Sequence, residues 1–164
     1  MKQILLLSDT HSYIDDRILS YAKEADEIWH AGDFGNISVI EQLEKIKPLR
    51  GVYGNIDGNE VRQIFPEVLR FQCEKVEVLM IHIGGYPNKY TLLAKRELAK
   101  ETPQLFISGH SHILKAMYDA PLSLLHLNPG AAGKQGWHQM RTMMRFKIEG
   151  KDIKDLEVIE LGKK

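Results

Sequence analysis

Apolar runs that stop abruptly at polar clusters constrain this chain more than any other feature. Five clusters do so: Ser8-Asp9-Thr10-His11, His30-Ala31-Gly32-Asp33, Gly54-Asn55-Ile56-Asp57, Ile81-His82-Ile83-Gly84 and Gly109-His110-Ser111-His112. The run Ile4 to Leu7 lacks polar alternation, as expected of a strand buried on both faces. In open α/β sheets, ligands bind outside the carboxyl ends of the strands. Asp9, Asp33, Asn55, His82 and His110 stand at such ends, so one sheet rim can gather them.

The rest of the pattern alternates strand and helix. Ile14, Ile18, Tyr21, Ala22 and Ala25 recur at helical spacing, with Asp15 and Asp16 suited to a first turn. Glu27 to His30 reads as a strand, and Ile37, Ile40, Leu43 and Ile46 mark a second helix ending before Pro48. Strands follow at Leu49 to Tyr53 and Val76 to Ile83, and a turn at Gly84-Gly85-Tyr86-Pro87-Asn88. Tyr90, Leu93, Ala94 and Leu98 give a helix face, and Leu105 to Ser108 and Leu124 to Leu127 two more strands. Met140 to Ile148 and Ile153 to Leu161 flank Glu149-Gly150-Lys151-Asp152, a hairpin signal. The expected architecture is one α/β domain over residues 1–164 with a C-terminal β-hairpin.

Charge narrows the class. Lys plus Arg equal Asp plus Glu at 22 each, which argues against a chain devoted to holding long nucleic acid. The single Cys73 excludes an internal disulfide framework and suggests a reducing compartment. The apolar run after Met1-Lys2-Gln3 is too short for a signal segment, and none is long enough to span a membrane. A cytoplasmic protein without membrane contact is expected; homo-oligomerisation stays open.

Asp9, His11, Asp33, Asn55, His82, His110 and His112 offer only nitrogen and oxygen donors, enough for two adjacent metal ions. Residues two apart on a strand share a face, which lets Asp9 and His11 approach one ion if the extended geometry persists. His110 and His112 have the same spacing but follow Gly109, and could equally serve neighbouring ions. His30, His126 and His138 lie outside this set and read as packed or solvent-facing. Met140, Met143 and Met144 read as core filling, Lys134 and Arg141 as solvated charge by default with a phosphate contact as the alternative, and Trp137 with His138 equally as a substrate-cleft wall, a subunit contact or a surface loop.

The ordered set Asp-x-His, Gly-Asp, Gly-Asn, His and Gly-His-x-His resembles the calcineurin-like metallophosphoesterases, from Asp9 to about Gly133. Gly-Asn-x-Asp and the short length look most like the small bacterial and archaeal phosphodiesterase branch, as does Asn128-Pro129-Gly130. The resemblance implies a metallophosphoesterase fold: a two-layered β core flanked by helices. It assigns Asp9, His11 and His112 to one metal and Asn55, His82 and His110 to the other, with Asp33 bridging. It further implies hydrolysis of a phosphodiester in a small substrate through a metal-bridging hydroxide. Manganese heads the expected ions, with nickel, iron, zinc or cobalt suiting the same donors.

Two departures stand out. Ile56 occupies the position where many relatives carry a proton-donating His; Asp57 reads first as a turn cap and second as the candidate catalytic group in its place. Ile83 follows His82 where Gly is frequent. A phosphomonoesterase is the alternative among enzymes, and a scaffold or binding module on the same fold the alternative outside them.

Overall fold

Four consecutive apolar residues near the start of the chain are sent alternately to opposite faces. In the computed structural model, which describes residues 1–164, Ile4 and Leu6 of β1 (Lys2–Leu7) enter a core between two sheets. Leu5 and Leu7 enter a second core beneath helices. This two-sided burial follows from the period of two along a strand.

The first half continues with α1 (Asp16–Glu24), β2 (Glu27–His30), α2 (Ile37–Glu44), β3 (Leu49–Gly51) and α3 (Asn59–Ile64). Then come β4 (Val68–Cys73), β5 (Val76–Ile81), the short pair β6 (Gly85–Tyr86) and β7 (Lys89–Tyr90), α4 (Leu92–Lys100) and β8 (Leu105–Ile107). Strands β9 (Lys115–Asp119), β10 (Leu124–Asn128), β11 (Met140–Glu149) and β12 (Asp152–Lys163) complete the chain. Two five-stranded sheets result, ordered β12-β11-β1-β2-β3 and β4-β5-β8-β10-β9.

The inner faces of both sheets meet through Trp29, Val78, Met80, Ile107, Leu127, Met144 and Phe146. Helices α1 and α2 cover the outer face of the first sheet with Ile18, Ala22, Val39, Ile40 and Leu43. Helix α4 covers the second with Ala94 and Leu98 against Leu79, Ile81 and Phe106. The expected two-layered β core flanked by helices is therefore the observed one. The neighbours Met143 and Met144 fill opposite cores, as their adjacency on a strand requires.

Helix starts follow local chemistry. Asp15 caps α1 by accepting from the Ile18 N–H at 3.0 Å, and Asn36 caps α2 by accepting from Ser38 at 3.0 Å.

Some elements depart from the sequence reading. No element was assigned between Asp57 and Val76, yet α3 and β4 lie there, and β9 was also unassigned. The β4 signal is a period of two: Leu69, Phe71 and Cys73 pack into the inter-sheet core while Gln72 is exposed. The strands expected to reach Tyr53, Ile83 and Ser108 stop at Gly51, Ile81 and Ile107, where the chain leaves the ladder. The turn after Gly84 is the small β6-β7 hairpin. Arg141 is buried rather than solvated, with Nε donating to the Ala132 carbonyl and Nη2 3.0 Å from Asp15.

Strands β1, β2 and β3 run parallel, as do β5, β8 and β10. Each set thus presents its carboxyl ends in common. Backbone bonds and one carboxylate join the ends: Asp9 N–H to the Gly32 carbonyl at 2.9 Å, Gly109 N–H to the His82 carbonyl at 3.0 Å, and His110 N–H to Asp9 Oδ2 at 3.1 Å.

Candidate metal centre

The residues leaving these strands do not stay extended. Asp9, His11, Asp33, His110 and His112 all have positive φ, between 45° and 68°. The left-handed region costs a non-glycine residue about 1–2 kcal/mol. Its concentration on one rim marks a site where surrounding structure enforces strain. The expected extended path from Asp9 to His11 is thus corrected: tight left-handed turns, not a shared strand face, bring them together.

Two donor groups result, each with ligand atoms within 4.8 Å of one another: Asp9, His11 and His112, and Asp33, His82 and His110. Each carboxylate divides its oxygens between protein and site. Asp9 Oδ2 accepts from Ser8 Oγ at 2.6 Å and from His110 N–H, leaving Oδ1 3.1 Å from His112 Nε2. Asp33 Oδ1 accepts from the Ile56 N–H at 3.1 Å, leaving Oδ2 3.4 Å from His11 Nε2 and 3.2 Å from His82 Nε2. Asp33 Oδ2 therefore faces a histidine from each group. Asn55 is exposed on the loop after β3, with its Oδ1 3.0 Å from His110 Nδ1.

The donor chemistry fits a cation. His82 Nδ1 lies 2.7 Å from the Ala31 carbonyl, which only accepts, so Nδ1 carries the proton and Nε2 presents a lone pair to the carboxylates. The Nε2 atoms of both His11 and His82 are buried without a hydrogen-bond partner. Lone pairs facing carboxylate oxygens repel unless positive charge lies among them. In the metal-free protein a proton takes that place: the Asp33 and Asp9 carboxylates raise the His11 pKa to about 9. Burial opposes the same change at His82, yet Asp33 and Asp9 still raise it. Asp9 and Asp33 fall well below the usual carboxylate range: burial works against this, and the surrounding histidines outweigh it.

Glycine is required where backbone meets ligand. A Cβ on Gly32 would lie 2.5 Å from His82 Nδ1, and Gly136, at φ +126°, passes directly over the His112 ring. Sequence reasoning missed Gly136 and also Ser8, whose hydroxyl orients Asp9.

Asp57 requires a correction. Its side chain is buried and turned into the backbone, with Oδ2 accepting from the N–H groups of Asp33, Phe34 and Gly54 at 3.0, 3.2 and 2.8 Å. Oδ1 accepts from Gly35 at 2.9 Å. A carboxylate saturated by four backbone donors fastens the β2 and β3 loops together and is not placed as a proton donor to substrate. His30 is packed, as expected. It stacks on Phe34 with centroids 3.7 Å apart, takes the Gly32 N–H on Nδ1 and bonds Thr10 Oγ1 through Nε2 at 3.0 Å. Burial lowers its pKa to about 3, so it is neutral.

Two sheets meeting at a rim of carboxylates and imidazoles define a candidate divalent-metal centre on an α/β fold. A model of the calcineurin-like phosphoesterase superfamily domain matches residues 1–151, and the chain belongs to that superfamily. A probable metallophosphoesterase from Methanothermobacter thermautotrophicus is 27% identical over 164 residues, covering 96% of this chain and 91% of its own. A solved archaeal phosphodiesterase shares the fold at TM-score 0.72 and 20% identity, covering 97% of this chain and 99% of that one. Vps29 from Entamoeba histolytica, solved with zinc, gives TM-score 0.73 at 16% identity, covering 96% and 98%. Membership supports a hydrolase that binds divalent metal. No helix is long and apolar enough to cross a membrane.

Proposed function

We propose that this chain is a phosphodiesterase acting on a small substrate at a centre of two divalent ions. One observation carries the reading: two donor groups face each other across Asp33 Oδ2, with the buried Nε2 atoms of His11 and His82 unpaired. Asp9, His11 and His112 would hold one ion, Asn55, His82 and His110 the other, and Asp33 both. Bound there, the ions supply Lewis-acid activation of water and offset charge on the phosphoryl group. Manganese is the first ion to test; the donors also suit zinc, iron, nickel and cobalt.

The chain's own residues do the positioning. Ala31 fixes the His82 tautomer, Ser8 and the His110 N–H fix Asp9, and Asp57 fixes the loop bearing Asp33. Ile56 is 46% exposed beside Asn55 and has no proton to give, so the leaving oxygen departs without help from that position. A cleft of about 450 Å³ next to Asn55 and His82, walled by Tyr53, Ile83, Leu92 and Leu93, suits an organic ester arm. That wall favours a diester over a monoester, in agreement with the activity of the archaeal phosphodiesterase that shares the fold. A cytoplasmic setting belongs to the reading, supported by the unpaired, buried Cys73.

Turnover of chromogenic phosphodiesters and monoesters by the metal-loaded protein tests this. Diesters should be preferred, and His82→Ala and His112→Ala should each lower kcat by orders of magnitude with unchanged circular dichroism. Metal-loaded protein inert to all phosphoesters would instead favour the scaffold reading, towards which the Vps29 likeness leans.

A further inference from the structure

A second, smaller cleft of about 160 Å³ shares Ile83 and Thr91 with the larger one. It is bordered by Ile83, Tyr86, His110, Ile113, Lys115 and His126. His110 connects it to the candidate metal centre, and Ile83 lines both this cleft and the larger one. Ile83, 40% exposed, thus puts a branched side chain where the two spaces meet.

One polar atom of this cleft is unpaired. His126 sits on β10, fully buried, with Nδ1 3.1 Å from the Phe106 carbonyl oxygen. That oxygen only accepts, so Nδ1 carries the proton and Nε2 bears a lone pair. Nε2 is buried and has no hydrogen-bond partner. Burial lowers the ring's pKa to about 4, which keeps it neutral and the lone pair available at pH 7. Lys115 stands opposite Asn128 in the β9-β10 ladder, its ammonium 4.2 Å from the Tyr86 ring centroid. A buried acceptor without a partner is uncommon in a folded protein and points to a donor supplied from elsewhere.

We propose that this cleft is the second ester-arm subsite, that its occupant carries a neutral O–H or N–H donor read by His126 Nε2, and that Ile83 keeps the two arms apart. The inference rests on the phosphodiesterase reading and deepens it, because a diester has two arms and a monoester one. Ile83 and His126 are then specificity-determining residues, and Lys115 disfavours a cationic arm.

Calorimetry with phenylphosphonate and 3-hydroxyphenylphosphonate tests the subsite on metal-loaded protein, since ester hydrolysis does not cut a C–P bond. Wild type should bind the hydroxylated ligand about tenfold more tightly, the scale of one net hydrogen bond. His126→Phe keeps a ring of similar shape and removes the acceptor, so the ratio should fall to about one. Ile113→Trp acts from a rim position that is 61% exposed and spares the core if His126→Phe does not fold. It should weaken both ligands. The diesters p-nitrophenyl phenyl phosphate and p-nitrophenyl 3-hydroxyphenyl phosphate share a leaving group and should show the same preference in kcat/KM. Equal binding of the two phosphonates by wild type, no saturable binding of either, or an undiminished preference in folded His126→Phe overturns the subsite. A calorimetric preference lost in His126→Phe, without turnover of any ester, keeps the subsite and overturns the catalytic reading.

Discussion

Replacing Asp57 by Asn separates a loop fastener from a proton donor. The carboxylate holds four backbone N–H groups, three on Oδ2 and one on Oδ1. An amide supplies one oxygen and one NH2, so in its better orientation the Gly35 N–H faces another donor, and in the flipped one the other three N–H groups do. Leaving the Gly35 N–H unpaired costs about 1–3 kcal/mol. The other three bonds lose their charge assistance, at roughly 1 kcal/mol each. The sum is roughly 4–6 kcal/mol. In a chain of this size each kcal/mol lowers Tm by about 2–4 °C, so a fall of roughly 10 °C or more is expected in thermal melts. Because the same N–H groups set the loops bearing Asp33 and Asn55, metal content after reconstitution should fall too. An Asp57→Asn protein with wild-type Tm and metal content but greatly reduced kcat would refute the fastening role and return Asp57 to chemistry on the substrate.

Asp33→Ala removes the oxygen that faces both donor groups and should lower occupancy at both ions; elemental analysis retaining two ions per chain would sink the bridging assignment. With Ile56 unable to donate a proton, diesters of acidic phenols should be cleaved much faster than alkyl diesters, and a flat dependence on leaving-group pKa would point to another acid. His126 gives a pH signature, since burial lowers its pKa from 6.5 to about 4. A lowered histidine pKa contributes stability above the unfolded value, and this is lost as pH falls from about 6.5 towards 4. Between pH 7 and pH 4, urea melts should show wild type losing roughly 3 kcal/mol relative to His126→Phe; parallel acid limbs would contradict a buried neutral ring.

The sequence alone determined which side chains could meet and on which rim. Apolar stretches in β1, β2, β5 and β8 marked buried strands, and the donors Asp9, Asp33, His82 and His110 follow within three residues of the strand ends. That logic is local, because periodicity and strand ends are properties of neighbouring residues. Strand β4 was also legible, in the alternation of Leu69, Phe71 and Cys73, but reading it required looking past the polar residues between them. What the tertiary structure decided were matters of approach. Left-handed turns at Asp9 and His11 replaced the extended path, because the loop bonds to Gly32, Asp33 and Phe34 hold the chain there. Asp57 lies two residues from Asn55 in sequence, yet its bonds run mostly to a loop more than twenty residues away, which turned a candidate acid into a fastener. His126 carries no motif; only packing on Phe106 and burial beside Lys115 leave its Nε2 without a partner. Burial, tautomer and hydrogen-bond saturation depend on groups brought together across the two sheets, and no local pattern encodes them.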